Sequence, residues 1–290
     1  MTIHGPTSHN FVSQRLRLHY VDWGNAEKPP LLLIHGGRDH CRSWDWVAQE
    51  LRADWHIIAM DHRGHGDSEW CSDGNYDNMD MVYDIAQLVR QLDLGPVTII
   101  SHSMGAQVCT RFAGLYPDAV RKLVAIEGLG PPPEVVEFMQ TTPFADQVRE
   151  HFDKKRIASA RIPHRYRTIE EAYARMKTEN GYLTDEQARH LTVHGVNRNE
   201  DGTFTWKFDP HLNFWASYRN PPAERIHELW RAITAPTLLL NGADSWAENP
   251  VTSGAIGHFG NATSIEFENA GHWLHHDQFD RFIRTAREFI

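Results

Sequence analysis

Ser103 lies where a buried strand is expected to turn sharply into a helix. The stretch VTIISHSMGAQV, residues 97–108, begins with apolar residues typical of a strand and continues into small residues typical of a helix start. A tight strand-to-helix turn holds one side chain exposed at the edge of a sheet. Ser103 is therefore a candidate nucleophile. The alternative interpretation is an ordinary serine at a helix N-cap.

An activated serine needs a base that takes its proton and an acid that orients the base. His272, in NAGHWLHH after the short run TSIEFE, is the candidate base, and the alternative is a surface histidine. Asp244 follows the apolar run TLLLN and is the candidate acid, whereas Glu127, after the run KLVAI, is the alternative acid. We favour Asp244 because an acid one strand earlier must cross to reach the same imidazole nitrogen.

Backbone N–H groups for an oxyanion are expected at two places. Gly37 ends the HGG turn after the run LLLI, where the missing side chain leaves its N–H accessible, although the turn alone could also require glycine. Met104 follows Ser103 directly, at the start of the next helix. The chain order of Ser103, Asp244 and His272 is the one described for hydrolases with a nucleophile elbow.

The composition favours a globular protein that acts on a small molecule. The 290 residues are 41% hydrophobic, and their formal net charge is -9. An acidic chain without clustered Lys and Arg argues against a nucleic-acid surface, and no apolar run approaches the ~20 residues of a membrane helix. The start, MTIHGPTSHN, lacks the basic and apolar regions of a secretory signal, so we expect a cytoplasmic protein. A homo-oligomer is compatible with the sequence.

The spacing of cysteines and histidines predicts neither a disulfide framework nor a metal site. Cys41, Cys71 and Cys109 are an odd number of cysteines in no CxxC spacing, and we interpret them as reduced thiols. The 19 histidines include no HExxH motif. We therefore expect neither a metal ion nor a cofactor.

Short apolar runs alternate with helical patterns along most of the chain. Continuous apolar runs are typical of parallel strands buried on both faces, and their alternation with helices predicts an α/β sheet with right-handed crossovers. The segment RLRLHYVDWG alternates with period two and predicts an antiparallel strand near one edge. Strands are predicted at 31–34, 56–60, 97–100, 122–126 and 237–241, and helices at 43–53, 80–92, 104–116 and 277–290.

A second structural unit is expected between the runs KLVAI and TLLLN. About a hundred residues separate them, far more than an ordinary crossover, and they carry helix signals. Thr168 with Glu171, and Thr184 with Gln187, have capping-box spacing and predict two helix starts. The Asp-Gly pair at 201–202 predicts the turn of a small hairpin or an extended arm.

The chain contains five short motifs in this order: LLLIHGG, DHRGHGDS, SHSMG, NGADS and AGHW. In order and interval they resemble those of the α/β hydrolase family across nearly the full length. The elbow departs from the usual GxSxG because Ser101 replaces the first glycine, at a position that requires a small side chain. The resemblance implies a mostly parallel eight-stranded sheet flanked by helices, with a mainly helical cap insertion. It divides the chain into a core of residues 1–128 and 233–290 and a cap of residues 129–232.

By the same resemblance, the cap lies over Ser103 and shapes the substrate pocket. Arg38 is a candidate contact for an acidic substrate group, and the alternative is a solvated surface arginine. Aromatic residues are candidates for an apolar wall, although most such residues belong to protein cores. The candidate pocket residues are Arg38, His102, Trp206, Phe214, Trp215, Trp246 and Trp273.

A serine nucleophile attacks carbonyl carbon well, which predicts a carboxylic-ester hydrolase with thioesters or lactones as related substrates. The first alternative is a hydrolase of C–C bonds in β-diketone products of ring cleavage. The second is a cofactor-free dioxygenase of the same fold, since such enzymes can carry an SHS-type elbow. The third is a binding protein that retains a silent triad.

Overall fold

The computed structural model describes residues 5–212 and 221–290, and its centre is an eight-stranded sheet. In chain order the strands are β1 (Thr7–Ser13), β2 (Leu16–Asp22), β3 (Pro30–Ile34), β4 (His56–Met60), β5 (Val97–His102), β6 (Val120–Ile126), β7 (Val196–Arg198), β8 (Phe204–Trp206), β9 (Thr237–Gly242) and β10 (Ala262–Phe267). β7 and β8 form a separate hairpin, and the large sheet has the order β1-β2-β4-β3-β5-β6-β9-β10.

The pairing of the strands follows their hydrophobic pattern. β2 is antiparallel to β1 and β4, whereas the other neighbours in the large sheet are parallel. The side chains of residues 31–34 in β3 are fully buried, as expected for a strand covered on both faces. The predicted fold class and the antiparallel strand near one edge are therefore confirmed.

Helices cover both faces of the sheet. In chain order they are α1 (Asp45–Leu51), α2 (Asn78–Gln91), α3 (Met104–Leu115), α4 (Pro133–Thr141), α5 (Phe144–Ser159), α6 (Ile169–Glu179), α7 (Asp185–Gly195), α8 (Ala223–Ala232), α9 (Leu274–Asp277) and α10 (Phe279–Phe289). α2 and α3 pack on one face, and α1 and α10 pack on the other. Cys41, Cys71 and Cys109 are free thiols, as expected, and all three are buried. Among residues 5–212 and 221–290, no helix has the length and apolar character needed to cross a bilayer.

The segment between β6 and β9 holds the hairpin and α4 to α8. The side chain of Thr184 accepts from the Gln187 N–H, and the Gln187 side chain accepts from the Thr184 N–H, which completes the predicted capping box at the start of α7. Thr168 caps α6 in the same way through its hydroxyl. α8 packs on α3, and its Trp230 joins the apolar core of the sheet.

Buried histidines form a layer beneath the carboxyl ends of the strands. His35 follows β3, His62 and His65 follow β4, and His102 ends β5, while His275 and His276 belong to α9. Each has at most 4% of its surface exposed. Burial is the largest cause that lowers the pKa of each of these imidazoles, because the charged form loses its hydration. They are neutral in the folded protein at neutral pH.

We predict that acid destabilises the fold and that His275→Leu weakens this dependence. An unfolded histidine takes up a proton near pH 6.5, whereas folded His275 stays neutral, so the free energy of unfolding decreases as pH falls below that value. Each proton that only the unfolded state binds changes the free energy of unfolding by roughly 1.4 kcal/mol per pH unit. Asp277 opposes this trend with one proton, because burial raises its pKa to about 6.

Urea denaturation at pH 7, 6 and 5 measures the effect. His275→Leu should reduce the slope by about 1 kcal/mol per pH unit below pH 6. His9→Leu replaces an exposed histidine of β1 and should leave the slope as in the wild type. Equal slopes in wild type and His275→Leu would contradict the prediction.

Candidate active site

Ser103 occupies the sharp turn between β5 and α3. Its backbone has φ 53° and ψ -119°, a left-handed conformation that non-glycine residues rarely adopt. The Ser103 N–H donates to the Ile126 carbonyl of β6 at 2.8 Å, which fixes the turn to the neighbouring strand. The side chain is half-buried. The strand-turn-helix geometry is the one expected from the sequence.

Close backbone contacts explain the small residues around this turn. A Cβ atom on Gly105 would lie 2.4 Å from the His35 carbonyl oxygen. A Cβ atom on Gly128, whose φ is 74°, would lie 2.0 Å from the Ser103 carbonyl oxygen. Ser101, which replaces the usual first glycine of the elbow, fits because its buried hydroxyl donates to the Val124 carbonyl at 3.1 Å.

His272 faces Ser103 from the loop after β10. Its Nε2 lies 2.8 Å from the Ser103 Oγ. The backbone of this loop is held from below, because the Nε2–H of His102 donates to the His272 carbonyl at 2.8 Å. On the other side, the Trp246 ring packs against the imidazole with centroids 4.7 Å apart. The predicted pair of serine and histidine is thus within hydrogen-bonding distance.

Glu127 lies directly after β6 and contacts the other nitrogen of His272. Its carboxylate accepts from the Gly242 N–H at 3.0 Å and from the Ser245 hydroxyl at 2.7 Å. The same carboxylate accepts from the His272 Nδ1–H. The Glu127 side chain is fully buried. A φ of 54° turns it across the end of β9, so an acid one strand earlier does reach the imidazole.

Asp244 does not occupy the position expected for the acid. It lies on the exposed loop after β9, and its Oδ2 accepts from the Tyr182 hydroxyl at 3.0 Å. The loop instead supplies the Gly242 N–H and the Ser245 hydroxyl to Glu127. The expectation that Asp244 pairs with His272 is therefore corrected in favour of the alternative residue, Glu127.

The backbone at Gly37 and Met104 borders the same cleft as Ser103. Met104 is the first residue of α3, so its N–H is free of a partner within the helix. The HGG turn is held by His35, whose Nδ1–H donates to the Gly36 carbonyl at 2.6 Å while its Nε2 accepts from the His62 N–H at 3.0 Å. These contacts determine the neutral tautomer of His35 and the position of the turn.

The cleft above Ser103 has a volume of about 390 Å³. Two of the predicted pocket residues, Arg38 and Trp246, line it. The residues that line it are Gly37, Arg38, Asn78, Ser103, Met104, Gln107, Pro132, Leu212, Trp246 and His272. Gln107 follows Ser103 by four residues, a helical spacing that could have identified it. No local sequence pattern predicts that the three residues from separate segments, Asn78, Pro132 and Leu212, border the cleft.

The other predicted pocket residues do not line this cleft. His102 is buried behind it, where it anchors the loop of His272. Trp206 lies in β8, and its Nε1–H donates to the Tyr166 hydroxyl at 3.1 Å. Trp273 packs beside the apolar cluster of Leu183. Phe214 and Trp215 lie outside the described residues.

Two groups of side chains in the described residues come close enough to hold a metal ion, and ordinary pairing explains both. The first is His19, Cys41 and Asp61, where the His19 Nδ1–H donates to Asp61 at 2.7 Å. The second is Asp45, His190 and His194, where the guanidinium of Arg42 donates to both oxygens of Asp45. Neither group borders the cleft of Ser103.

Comparison with known proteins places the chain among hydrolases. Residues 29–279 match the family described as alpha/beta hydrolase fold. A serine hydrolase-like protein of Danio rerio is 32% identical over 192 residues, which are 66% of this chain but only 58% of that relative. The 3-hydroxybutyrate-oligomer hydrolase of Cupriavidus necator is 30% identical over 88% of this chain and 87% of that protein. Epoxide hydrolase 3 of Mus musculus is 25% identical over 90% of this chain and 70% of that protein.

A solved structure with the same architecture is the thioesterase domain from the curacin biosynthetic pathway. It aligns with a TM-score of 0.82 over 98% of this chain and 100% of that chain, at 19% identity. At this identity the likeness concerns the fold alone.

We predict that Gly128→Ala destabilises the protein and that Gly130→Ala does not. The added methyl group at 128 would overlap the Ser103 carbonyl at 2.0 Å, and the residue would keep an unfavourable positive φ. The expected loss is at least ~2 kcal/mol. At Gly130 a Cβ atom meets nothing within 4 Å, so the change should stay within about 0.5 kcal/mol. Urea denaturation of both variants tests this, and similar losses in both would contradict the close contact.

Proposed function

Since the chain belongs to the alpha/beta hydrolase fold family, we propose that it is a serine hydrolase that cleaves carboxylic esters, with thioesters or lactones as related substrates. The observation that carries the proposal is the 2.8 Å contact between the Ser103 Oγ and the His272 Nε2. Glu127 replaces Asp244 as the acid of the triad. The substrate is a small molecule that enters the cleft above Ser103.

Acylation begins when His272 takes the hydroxyl proton of Ser103 as the oxygen attacks the carbonyl carbon. Glu127 holds the Nδ1–H of the imidazole and stabilises the imidazolium that forms. The tetrahedral oxyanion accepts from the N–H groups of Gly37 and Met104, an arrangement that typically contributes about 3 kcal/mol per donor to the barrier reduction. The imidazolium then gives its proton to the leaving alcohol, and an acyl-enzyme remains.

Deacylation repeats these steps with water as the nucleophile. His272 takes a proton from the water as it attacks the acyl carbonyl. The imidazolium then returns this proton to the Ser103 oxygen as the carboxylic acid product leaves. The same two N–H groups stabilise the second oxyanion. No protein group changes its net charge over the cycle.

The identity of the nucleophile favours esters over the epoxides named for one relative. In this fold, epoxides are opened by a carboxylate nucleophile, which forms an alkyl-ester intermediate. Water then cleaves this intermediate at its carbonyl carbon. Ser103 occupies the nucleophile position here and has no carbonyl carbon for such a second step. A carbonyl substrate supplies that carbon itself.

Residues 129–232 act as a cap in this proposal. Pro132 before α4 and Leu212 after the hairpin both border the cleft of Ser103, so the segment contributes to its wall. Tyr182, from the loop between α6 and α7, also donates to Asp244 on the core. These contacts support a role of the segment in shaping the substrate site.

We predict that Ser103→Ala lowers the hydrolysis of p-nitrophenyl butyrate at least ~10³-fold, because the acyl-enzyme cannot form. The matched control is Ser101→Ala, which removes a hydroxyl two residues away. This hydroxyl contacts the Val124 carbonyl and the Cys109 thiol but no residue of the proposed triad, so the variant should retain activity within ~3-fold. Circular dichroism verifies that both variants are folded. Unchanged hydrolysis by Ser103→Ala would refute the proposal.

Two other results would favour the alternative reactions. A preference of the wild type for a vinylogous diketone over every ester would indicate a C–C bond hydrolase. Oxygen uptake without a cofactor would indicate a dioxygenase.

We predict that Glu127→Gln and Asp244→Asn differ strongly in activity. Glu127→Gln keeps the shape of the side chain but removes the charge that stabilises the imidazolium and the preference for the tautomer of His272 protonated at Nδ1. We therefore expect kcat to fall about 10³- to 10⁴-fold. Asp244→Asn changes a carboxylate on an exposed loop and should alter kcat by less than ~5-fold. Steady-state kinetics with the same ester measure both. The reverse order of effects would restore Asp244 as the acid.

A further inference from the structure

Arg38 is an exposed cation on the wall of the cleft that holds Ser103. It follows the HGG turn directly, so its side chain begins one residue from the proposed oxyanion donor Gly37. Its φ is 60°, a conformation that glycine adopts without strain and arginine does not. Backbone strain of this kind concentrates at functional sites.

The guanidinium of Arg38 forms no ion pair with any of the described residues. It lies over the ring of Phe208, 5.9 Å from the centroid. The adjacent Asp39 is turned to its own backbone, where its carboxylate accepts from the His40 N–H at 2.8 Å. The segments outside the described residues, MTIH and NFWASYRN, contain no Asp or Glu. The charge of Arg38 is thus available to a ligand.

The described side chains that line the cleft include a cation and no carboxylate, although the chain as a whole carries a formal charge of -9. No Asp or Glu is among the described residues that line it, and Arg38 and His272 are its titratable groups. Its floor is the N-terminal turn of α3, whose free N–H groups add positive partial charge. Positive charge along a cleft raises the local concentration of anions.

A second cation lies below the same helix turn. Arg111 is buried, and its Nη1 donates to the carbonyl of Gln107, a cleft residue, at 2.7 Å. Burial lowers the pKa of Arg111 to about 10, which leaves the group charged at neutral pH. The carboxylate of Asp77 opposes this shift, although no carboxylate of the described residues lies within ion-pair distance of Arg111.

Amide donors complete the polar wall. The Asn78 side-chain N–H donates to the Gln107 Oε1 at 3.2 Å. The side-chain NH2 of Gln107 has no acceptor among the described residues, whereas its backbone N–H donates to the Ser103 carbonyl. Both side chains line the cleft. A planar guanidinium with a neighbouring amide donor is suited to a carboxylate, which offers two oxygens as acceptors.

We propose that the preferred substrate is an ester whose acyl or alcohol part carries a free carboxylate, and that Arg38 binds this carboxylate. The inference rests on the proposed ester hydrolysis at Ser103 and names its substrate class. The cleft volume of about 390 Å³ is at the small end of ligand sites, which favours a short chain between the carboxylate and the ester.

The test compares substrates that differ only in the carboxylate. For the acyl side these are monoethyl succinate, glutarate and adipate, each paired with the ethyl ester in which a methyl group replaces the carboxylate. For the alcohol side the pair is 4-(butanoyloxy)butanoate and butyl butanoate. Ethyl esters are used because activated phenyl esters of these acids are displaced by their own carboxylate. A pH-stat measures kcat/KM for each compound, and the ratio within a pair is the readout.

The wild type should prefer the anionic member of at least one pair. Arg38→Met should lower that ratio about 10- to 100-fold, mainly through KM, because a charge-assisted contact is lost. Arg38→Lys should retain part of it. The matched control is Arg15→Met, which removes another exposed arginine with a positive φ of 68° in the turn between β1 and β2, and it should keep the wild-type ratio. A wild type without preference, or an unchanged ratio in Arg38→Met, overturns the inference.

A binding measurement separates this inference from the proposed reaction. In Ser103→Ala, monoethyl glutarate should bind in titrations followed by NMR, and the double variant Ser103→Ala with Arg38→Met should bind it at least ~10-fold more weakly. Added salt should weaken binding in the first protein more than in the second. If the wild type hydrolyses no ester, the reaction is refuted, while these titrations still decide the role of Arg38. Equal affinities in the two proteins refute that role.

Discussion

The close approach of the ends of β5 and β6 determines the geometry of the candidate site. The Ser103 N–H donates to the Ile126 carbonyl, and Gly128 packs directly on the Ser103 carbonyl. Two consecutive strands thereby present the serine and Glu127 from adjacent turns, both with a positive φ. Because parallel strands in the sheet interior are rigid, the two strands fix the distance between Ser103 and Glu127 independently of the loop that carries His272. His272, the base of the proposed triad, is the residue that a loop must position.

The loop of His272 is fixed by contacts that reach into the interior. His102 ends β5, one residue before the nucleophile, and donates to the His272 carbonyl. The same strand therefore positions the serine directly and the base through a neutral imidazole. Burial lowers the pKa of this imidazole, so His102 is neutral at neutral pH and its Nε2 carries the proton that the His272 carbonyl accepts. The sensitivity of the fold to acid and the alignment of the base have this common origin.

The fold was predictable from the sequence because its strands are continuous apolar runs and its helices carry capping signals, as at Thr184. Ser103 and His272 were predictable because each follows a strand in a distinctive small-residue context. The choice between Asp244 and Glu127 was not, since both carboxylates follow strand ends and have the same local signal. What separates them is the backbone turn at Glu127 and the donors of Gly242 and Ser245, which meet it in three dimensions.

The cleft was the least predictable part. Aromatic residue type does not distinguish a wall from a core, so Trp246 was identified together with Trp206 and Trp273, which lie elsewhere. Asn78 and Leu212 reach the cleft from segments far apart in the chain, and no periodicity connects them with Ser103. Gln107 alone among the missed residues has a helical spacing from the serine.

The location of the proposed acid, Glu127, directly after β6 changes which contacts the loop after β9 must provide. With Glu127 as the charged partner of His272, residues 243–249 contribute a hydroxyl from Ser245 and the wall formed by Trp246, but no charge to the base. Substitutions at position 246 that leave Ser245 in place can therefore vary the wall of the cleft without removing a hydrogen bond to Glu127. Directed evolution of this protein can thus begin at one position of the cleft wall while the contact between Glu127 and His272 is retained.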